Sequence, residues 1–238
     1  MKTKKLVIFG TDDFAQLAKF YFTADSEYEV CGFVVDKEYL NEDSFCNLPV
    51  VDSEEVEEKF PPNEYDMFIA IAYTHLNDAR EQKYHEYKKH GYKLASYISS
   101  KATCWYEGNE FGDNVFVFED NTIQPYAKIG NNTILWSGNH IGHHAEIGNH
   151  VFITSQVVIA GRVVIGDNTF VGINATINDH IRIADRNVIG SRALIARNTK
   201  PDNMYVDDRT KRIPQRIEGS CFFFGKKDKQ AGGEKDEV

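Results

Sequence analysis

The sequence has little cysteine, no long apolar run and no excess of positive charge. Its 238 residues include four cysteines without C-x-x-C spacing, which is typical of a reduced cytoplasmic protein. No stretch approaches the roughly 20 apolar residues of a transmembrane helix, and the apolar run after the basic N-terminus is too short for a signal peptide. The formal net charge of -9 argues against nucleic acid or an anionic membrane as a partner. We therefore expect a cytoplasmic protein.

The first hundred residues alternate between apolar, β-rich runs and helical stretches. Four runs predict strands: KKLVIFG, YEVCGFVVD, YDMFIAIA and YKLASYI. Three stretches between them predict helices, whose candidate N-caps are Asp12 or Asp13, Asp52 or Ser53, and Asn77. Strands that alternate with helices in this way indicate a parallel sheet. We predict an α/β, Rossmann-like domain over residues 1–100.

The dinucleotide fingerprint G-x-G-x-x-G is absent from this domain. The loop after the first strand reads G-T-D-D-F-A and places two carboxylates where a pyrophosphate would lie, which argues against NAD as the ligand. Ligands of such sheets bind beyond the carboxyl ends of the strands, which are residues 10–12, 36–37 and 73–75 here. A ligand that carries a mononucleotide and a domain without any ligand both stay open.

From Trp105 onwards, a large apolar residue occupies every sixth position, sixteen times without a gap. These residues are Trp105, Phe111, Val117, Ile123, Ile129, Leu135, Ile141, Ile147, Ile153, Ile159, Ile165, Val171, Ile177, Ile183, Ile189 and Ile195. Neither a helix nor a single strand keeps a period of six on one face. A solenoid does, because each hexad forms a short strand and a corner, and three hexads close one triangular coil. We predict such a solenoid over residues 101–200, with the apolar column inside.

Residues eighteen positions apart then lie next to each other in adjacent coils, about 4.8 Å apart. His143 lies beside Gly161, which leaves open space and an approachable backbone N–H, so that a proton acceptor meets an oxyanion donor. His144 lies beside Arg162, and a neighbouring cation disfavours a protonated imidazole. We therefore expect His144 to be a neutral hydrogen-bonding partner or to orient its neighbour. The candidate catalytic residues are His143, Gly161 and His144.

These hexads resemble those of the hexapeptide-repeat acyltransferases, which fold as left-handed parallel β-helices. The segments HHAEIG and VVIAGRVVIG carry most of this resemblance. The order of the two parts is similar to the family of the sialic acid O-acetyltransferases and the bacterial nucleotide-linked amino-sugar N-acetyltransferases, over roughly residues 4–205. The resemblance implies a left-handed β-helix after a Rossmann-like domain that binds a nucleotide sugar.

The resemblance also implies an activity and a set of binding residues. The activity is acetyl-CoA-dependent N-acetylation of an amino sugar on a nucleotide, in glycan or lipopolysaccharide biosynthesis, by a homotrimer with active sites between neighbours and with no metal. By the resemblance, His143 is the general base and Gly161 the oxyanion donor. The residues at the pantetheine arm are Gly161, Asn174 and Ser191. The residues at the nucleotide are Gly10, Asp12, Asp36, Lys37 and Tyr73. Members of the amino-sugar type often carry an acidic residue next to the base, whereas Gly142 and His144 flank His143.

Three other functions stay open at this point. O-acetylation of a sialic-acid-like sugar uses the same residues. A metal-dependent hydratase is the second, because the β-helix fold also serves zinc-type carbonic anhydrases. The candidate ligands are His140, His143, His144 and His150. We favour no metal, because His140 stacks with Val158 and His150 with Asn168, in different columns. A trimeric scaffold without activity is the third.

An apolar ridge is predicted on the outside of the solenoid. It consists of Phe116, Ile134, Phe152, Phe170 and Val188, which precede column residues and point outward. Because such a ridge is unfavourable in water, we interpret it as a subunit interface, with cover by the N-terminal domain or the C-terminal segment as the alternative. Past the repeats, residues 201–218 are predicted to cap the solenoid, and the polar residues 219–238 to form a disordered tail.

Overall fold

The structure is a computed structural model that describes residues 2–207. The N-terminal part consists of β1 Lys4–Phe9, α1 Asp13–Ala24, β2 Tyr28–Val35, β3 Ser44–Phe45, β4 Leu48–Asp52, α2 Val56–Lys59, β5 Tyr65–Ile69 and α3 Asp78–Lys89, with 3-10 turns at Lys37–Tyr39 and Ser53–Glu55. The sheet order is β3-β4-β2-β1-β5. All pairs are parallel except the edge pair β3–β4. The predicted Rossmann-like sheet is therefore confirmed.

Three strands differ from the prediction. The short β3 and β4 were not predicted, because Asn47 between them and Pro49 within β4 are typical of a loop. The predicted fourth strand at residues 92–98 was wrong in its length, since it is reduced to a single bridge between Leu94 and Met67, with hydrogen bonds from Met67 to Lys93 and from Ala95 to Met67. The chain then leaves the sheet, because the ring of Tyr97 packs against Phe116 and its strand joins the solenoid.

The helix caps follow the predictions in two of three cases. The carboxylate of Asp12 accepts the N–H of Ala15 at the start of α1, and that of Asp52 accepts the N–H of Glu54. Asn77 precedes α3, but its side chain makes no capping hydrogen bond there. Its amide instead donates to the carbonyl of Thr169 in the solenoid, 3.3 Å away. The contact with the second part of the molecule overrides the local cap.

The second part is a solenoid of two-residue strands. They are β6 Tyr97–Ile98, β7 Thr103–Cys104, β8 Glu110–Phe111, β9 Phe116–Val117, β10 Thr122–Ile123, β11 Lys128–Ile129, β12 Ile134–Leu135, β13 His140–Ile141, β14 Glu146–Ile147, β15 Phe152–Ile153, β16 Val158–Ile159, β17 Val164–Ile165, β18 Phe170–Val171, β19 Thr176–Ile177, β20 Arg182–Ile183, β21 Val188–Ile189, β22 Leu194–Ile195 and β23 Met204–Tyr205. Every third strand pairs in parallel, which gives three sheets. Sheet I runs from β7 to β22, sheet II from β8 to β20, and sheet III from β6 to β23. The predicted triangular solenoid is confirmed.

The predicted start of the apolar column at Trp105 was wrong. Trp105 is 64% exposed, and the strand residue that pairs with Ile123 is Cys104. The spacing in this first coil is therefore nineteen residues, whereas Phe111 and Ile129 keep the eighteen-residue step that continues as far as β22. One extra residue in the loop between Cys104 and Phe111 accounts for the difference. An aromatic residue is compatible with both a buried column and an exposed loop, so the sequence pattern did not reveal the extra residue.

Each corner of the solenoid contains one residue in the left-handed backbone region. From Asn114 to Arg192 this residue recurs at every sixth position, with φ between 51° and 68° except at Gly138, where φ is 76°. Asn, Asp and His tolerate this conformation better than other side chains, and Gly best of all. Each coil has three corners, one between each pair of sheets. Corner 1 lies between sheets I and II, corner 2 between sheets II and III, and corner 3 between sheets III and I.

The N-terminal part covers the outer face of sheet III. Phe116, Ile134 and Phe152 are buried in one cluster with Phe14 and Phe68. The interpretation of this ridge as a subunit interface was therefore wrong, and the alternative, cover by the N-terminal domain, is correct for these residues. The same rings join the two parts into one apolar core.

Two predictions concern the end of the chain. The structure describes the predicted cap at residues 201–218 only as far as residue 207, where β23 pairs with β21. The predicted tail at residues 219–238 lies outside the described residues. Within residues 2–207, no helix is both long and apolar enough to cross a membrane.

Candidate active site

The imidazole of His143 lies directly over Gly161 at corner 1. A Cβ atom added to Gly161 would lie 2.7 Å from both Cε1 and Nε2 of the ring, so only glycine leaves room for it. The backbone fixes this position, because the N–H of His143 donates to Oε1 of Gln124 at 2.8 Å and its carbonyl accepts the N–H of Arg162 at 2.9 Å. These neighbours match the stack that the eighteen-residue step predicts.

The backbone N–H of Gly161 is free to bind a ligand. Among the residues that the structure describes, no acceptor is hydrogen-bonded to it. A Cβ atom on Gly142 would lie 2.6 Å from this nitrogen, so the position before His143 also has room only for glycine. Glycine follows the column residue at many corners, and the sequence pattern gives no separate signal for this one.

His143 and His144 contact each other through their ring nitrogens. The two Nδ1 atoms are 3.2 Å apart and the rings are nearly perpendicular, at 86°. His144 is the left-handed residue of its corner, with φ of 57°, and its ring packs against Tyr126 with 4.9 Å between centroids. Both histidines are exposed in the single chain. This corner therefore joins a general-base candidate, a partner imidazole and an unpaired N–H.

Asn174 and Ser191 lie at corner 3, on the other edge of sheet I. The structure does not bring them to His143, but the outer face of sheet I joins the two corners. On and beside this face lie exposed apolar side chains: Val158 at 43%, Ile173 at 49% and Leu194 at 64%. Thr176 lies between Val158 and Leu194 in the sheet, so this face carries exposed apolar side chains that alternate with polar ones.

A cavity of about 570 Å³ opens at the carboxyl ends of the N-terminal strands. Three of the five predicted nucleotide residues line it, namely Gly10, Asp12 and Asp36. The other two flank it. Lys37 points away and forms an ion pair with Glu54 at 3.5 Å, and the ring of Tyr73 packs between Phe152 and Phe170 at 5.1 and 5.0 Å.

Lys83, which was not predicted from the sequence, lies in the wall of this cavity. Its ammonium group is 2.7 Å from Asp36 and 2.9 Å from Glu86. Partial burial lowers the pKa of Lys83, but the hydrogen bonds to these two carboxylates outweigh it and raise the pKa overall. Lys83 and Asp36 are far apart in sequence and belong to different elements, so no spacing rule pairs them. The positive charge of Lys83 in the cavity wall is therefore neutralised by Asp36 and Glu86.

A strained turn borders the cavity after β5. His75, Leu76 and Asn77 adopt left-handed φ values of 51°, 54° and 71° in succession, which is costly for residues other than glycine. The fully buried Arg80 holds the turn against the solenoid. Its guanidinium donates to five carbonyls, those of Ile71, Ala72, Asn132, His150 and Val151, and to Oδ1 of Asn77. Burial without a carboxylate partner lowers the pKa of Arg80 to about 9.

Within the described residues, one group could hold a metal ion by proximity. It consists of Glu81, His85 and His150, whose ligand atoms lie within 4.8 Å of one another. Of the four histidines weighed as ligands from the sequence, only His150 belongs to it.

A chain of amides determines the tautomer of His150. Asn114 is oriented by both the N–H and the carbonyl of Ile69 at 2.8 and 3.3 Å, and its amide donates to Oδ1 of Asn132 at 2.8 Å. The amide of Asn132 must then donate to Nδ1 of His150, 2.8 Å away. Neutral His150 therefore carries its proton on Nε2, which faces Glu81 at 3.6 Å. A metal would need a lone pair on that nitrogen, so these residues do not fit a metal site.

The family comparison agrees with this architecture. A model of the bacterial transferase hexapeptide, with six repeats, matches residues 126–161 and 162–197. Residues 126–197 therefore belong to this class of repeats, whose solenoid is a left-handed parallel β-helix. No curated protein sequence matches the chain significantly.

Solved structures share the whole two-part fold. PerB from Caulobacter crescentus, in complex with CoA and GDP-perosamine, is 20% identical over 85% of this chain and 94% of its own, with a TM-score of 0.76. The acetyltransferase domain of PglB from Neisseria gonorrhoeae is 18% identical over 89% and 100%, with a TM-score of 0.77. WeeI from Acinetobacter baumannii is 19% identical over 84% and 94%, with a TM-score of 0.69. At this level of identity the comparison establishes the fold: a Rossmann-like sheet followed by a left-handed β-helix.

Proposed function

We propose that this protein is an acetyl-CoA-dependent N-acetyltransferase that acts on a nucleotide-linked amino sugar, in the cytoplasm, for cell-surface glycan biosynthesis. The observation that carries the proposal is the imidazole of His143 over the unpaired N–H of Gly161. Proteins of the same fold support it. One is described as a perosamine N-acetyltransferase in complex with CoA and GDP-perosamine, and another as an acetyltransferase domain in complex with acetyl coenzyme A.

The proposed reaction moves one acetyl group from sulfur to nitrogen. The sugar amine attacks the thioester carbonyl carbon while Nε2 of His143 accepts the amine proton. The N–H of Gly161 stabilises the negative charge on the thioester oxygen. The tetrahedral intermediate then collapses, the C–S bond breaks, and the thiolate leaves with a proton. A positioned base contributes typically about 10²–10⁴ in rate, and an oxyanion donor about 10²–10³.

In this proposal acetyl-CoA lies along the outer face of sheet I. Its acetyl end reaches Gly161, and its pantetheine arm crosses Val158 and Leu194 towards Asn174 and Ser191. The exposed apolar side chains on this face support the placement. The nucleotide occupies the cavity lined by three predicted residues, Gly10, Asp12 and Asp36. Lys37 and Tyr73 are not part of this lining and only follow or precede lining residues in the chain.

The position of the two sites supports a homotrimer with active sites between neighbours. The N-terminal part packs on sheet III and corner 2, whereas His143 lies at corner 1, opposite sheet III in the triangular section. A sugar held in the N-terminal cavity is therefore turned away from His143 of its own chain. A second copy would supply the missing imidazole. Sedimentation at micromolar concentration tests this point, and a monomer would contradict it.

The experiment that tests the activity measures thiol release from acetyl-CoA with nucleotide-linked amino sugars as acceptors. His143→Asn is expected to lower kcat/KM by about 10²–10⁴, because the base is lost. Gly161→Ala is expected to lower it by about 10², because its Cβ displaces the imidazole by the order of an ångström. His180→Asn is the control, because His180 is an exposed histidine at the same corner, two coils away, with no role in the proposed reaction. It should leave the rate unchanged.

Two outcomes would contradict the proposal. Thiol release only with sugars that offer a hydroxyl would favour O-acetylation of a sialic-acid-like sugar. Unchanged turnover in His143→Asn would exclude His143 as the base.

A further inference from the structure

The contact between His143 and His144 involves two identical atoms, and this fixes its proton arrangement. Two Nδ1 atoms 3.2 Å apart form a hydrogen bond only if one carries a proton and the other offers a lone pair. A neutral imidazole carries one proton, so the choice at Nδ1 also decides the state of Nε2. The pair therefore has two neutral arrangements, which differ in which ring is the donor.

Only one of these arrangements leaves His143 able to act as a base. The edge of its ring that faces Gly161 carries Nε2 and Cε1, so Nε2 is the nitrogen at the reacting position. If His144 were the donor, Nε2 of His143 would carry the proton and could accept none. If His143 donates from Nδ1, its Nε2 keeps a lone pair. His144 then keeps its own proton on Nε2.

Within residues 2–207, no carboxylate accepts a hydrogen bond from Nδ1 of His143. Neither imidazole is hydrogen-bonded to an acidic side chain there. The acid nearest in sequence, Glu146, belongs to the outer face of sheet II, where it pairs with Lys128 and Val164. The acid that stacks two coils from His143, Asp179, contacts Nδ1 of its own neighbour His180 at 2.9 Å. The chain therefore offers an imidazole as the acceptor for Nδ1 of His143.

We propose that His144 is the positioning residue of the active site, which accepts the Nδ1–H of His143 and thereby keeps Nε2 of His143 free as the base. This inference rests on the proposed acetyltransferase function and adds the proton arrangement to it. One consequence concerns charge. When His143 takes the amine proton, a neutral partner leaves the positive charge uncompensated. An acceptor that carries a diphosphate would supply the counter-charge.

Two substitutions at position 144 distinguish the effect of the hydrogen-bond acceptor from the effect of the left-handed backbone. Asn and Gly both tolerate its left-handed φ of 57°, but only Asn offers an oxygen to Nδ1 of His143. We expect His144→Gly to lower kcat by about ten- to a hundredfold with little change in KM, because the loss combines one hydrogen bond with the ring orientation. His144→Asn should restore most of kcat. His180→Gly, with φ of 59° at the same corner, is the control for the backbone change, and thermal melting reports folding of each variant.

A second readout does not depend on activity. Nitrogen-15 NMR of the histidine rings at alkaline pH should show His143 protonated at Nδ1 in the wild type and in His144→Asn, and a mixture of tautomers in His144→Gly. A wild-type His143 protonated at Nε2, or full kcat in a folded His144→Gly, would overturn the proposal. If the wild type releases no thiol with any acceptor, the acetyltransferase function fails, while the tautomers still decide the role of His144.

Discussion

In the β-helix, a left-handed residue recurs once at every corner, whereas in the N-terminal part three of them follow one another in the single turn at residues 75–77. The recurring residues need no special support, because each is a standard element of its hexad. The turn at 75–77 needs the buried Arg80 and the amide of Asn77 to hold it. In the first region a repeated local rule sets the position of a functional side chain. In the second, contacts between distant residues set it.

The largest expected effect on stability follows from replacing Arg80, which holds the turn at residues 75–77 through contacts with distant residues. Arg80→Met keeps the apolar stem but removes a donor from five buried or partly buried carbonyls, of which that of Val151 keeps the N–H of Ile134. We therefore expect the free energy of unfolding to fall by about 3–5 kcal/mol. Urea denaturation measures the change. Arg186→Ala is the control. Arg186 forms an exposed ion pair with Asp78 at 2.7 Å, and its loss should cost below about 1 kcal/mol. Equal losses for the two variants would contradict the contrast between the regions.

The second prediction tests at which residue the buried apolar column of the β-helix begins. Ile123→Ala should lower the free energy of unfolding by about 2–5 kcal/mol, because Ile123 is fully buried in the column. Trp105→Ala removes a larger side chain but should change it by less than about 0.5 kcal/mol, since Trp105 lies outside the column. Both are measured by the same denaturation experiment. A large loss in Trp105→Ala would restore Trp105 to the core and refute the nineteen-residue first coil.

The smallest expected effect concerns pH at the boundary between the regions. Burial lowers the pKa of His150. Glu81 and Asp167 oppose the shift, and Arg80 and His85 add to it. The folded protein then binds this proton less readily than the unfolded chain. Stability is therefore intact above about pH 6.5, the ordinary imidazole pKa, and is lost as the pH falls below it.

His150→Asn tests this pH dependence. Asparagine tolerates the φ of 58° at this position, can accept from Asn132 through its own oxygen, and does not titrate. We expect the melting temperature of the wild type to fall more between about pH 7 and pH 5 than that of the variant. Parallel curves for the two proteins would show that His150 does not contribute to acid destabilisation.

The sequence predicted the β-helix and the pair of His143 and Gly161 well, because both follow from one repeated spacing. It did not predict Lys83 beside Asp36 or Arg80 beneath the turn, because these contacts join residues whose separation follows no pattern. Nor did it show which surface covers the ridge that includes Phe116 and Phe152. An apolar face indicates that something packs on it, but not whether the partner is the same chain. The roles proposed for Asn174 and Ser191 stay predictions.

The amide chain from Ile69 through Asn114 and Asn132 to His150 has a consequence for the turn that borders the cavity. Ile69 ends β5, and Glu81, which His150 faces, lies in α3, so the two ends of the intervening segment are fastened to corner 2 at Asn114 and, two coils further on, at His150. Two coils rise by about 10 Å, because each coil adds about 4.8 Å. The spacing between the end of β5 and α3 is therefore matched to the rise of the β-helix. A segment longer or shorter by one residue would have to break this alignment, so the length of the cavity border cannot vary independently of the solenoid beside it.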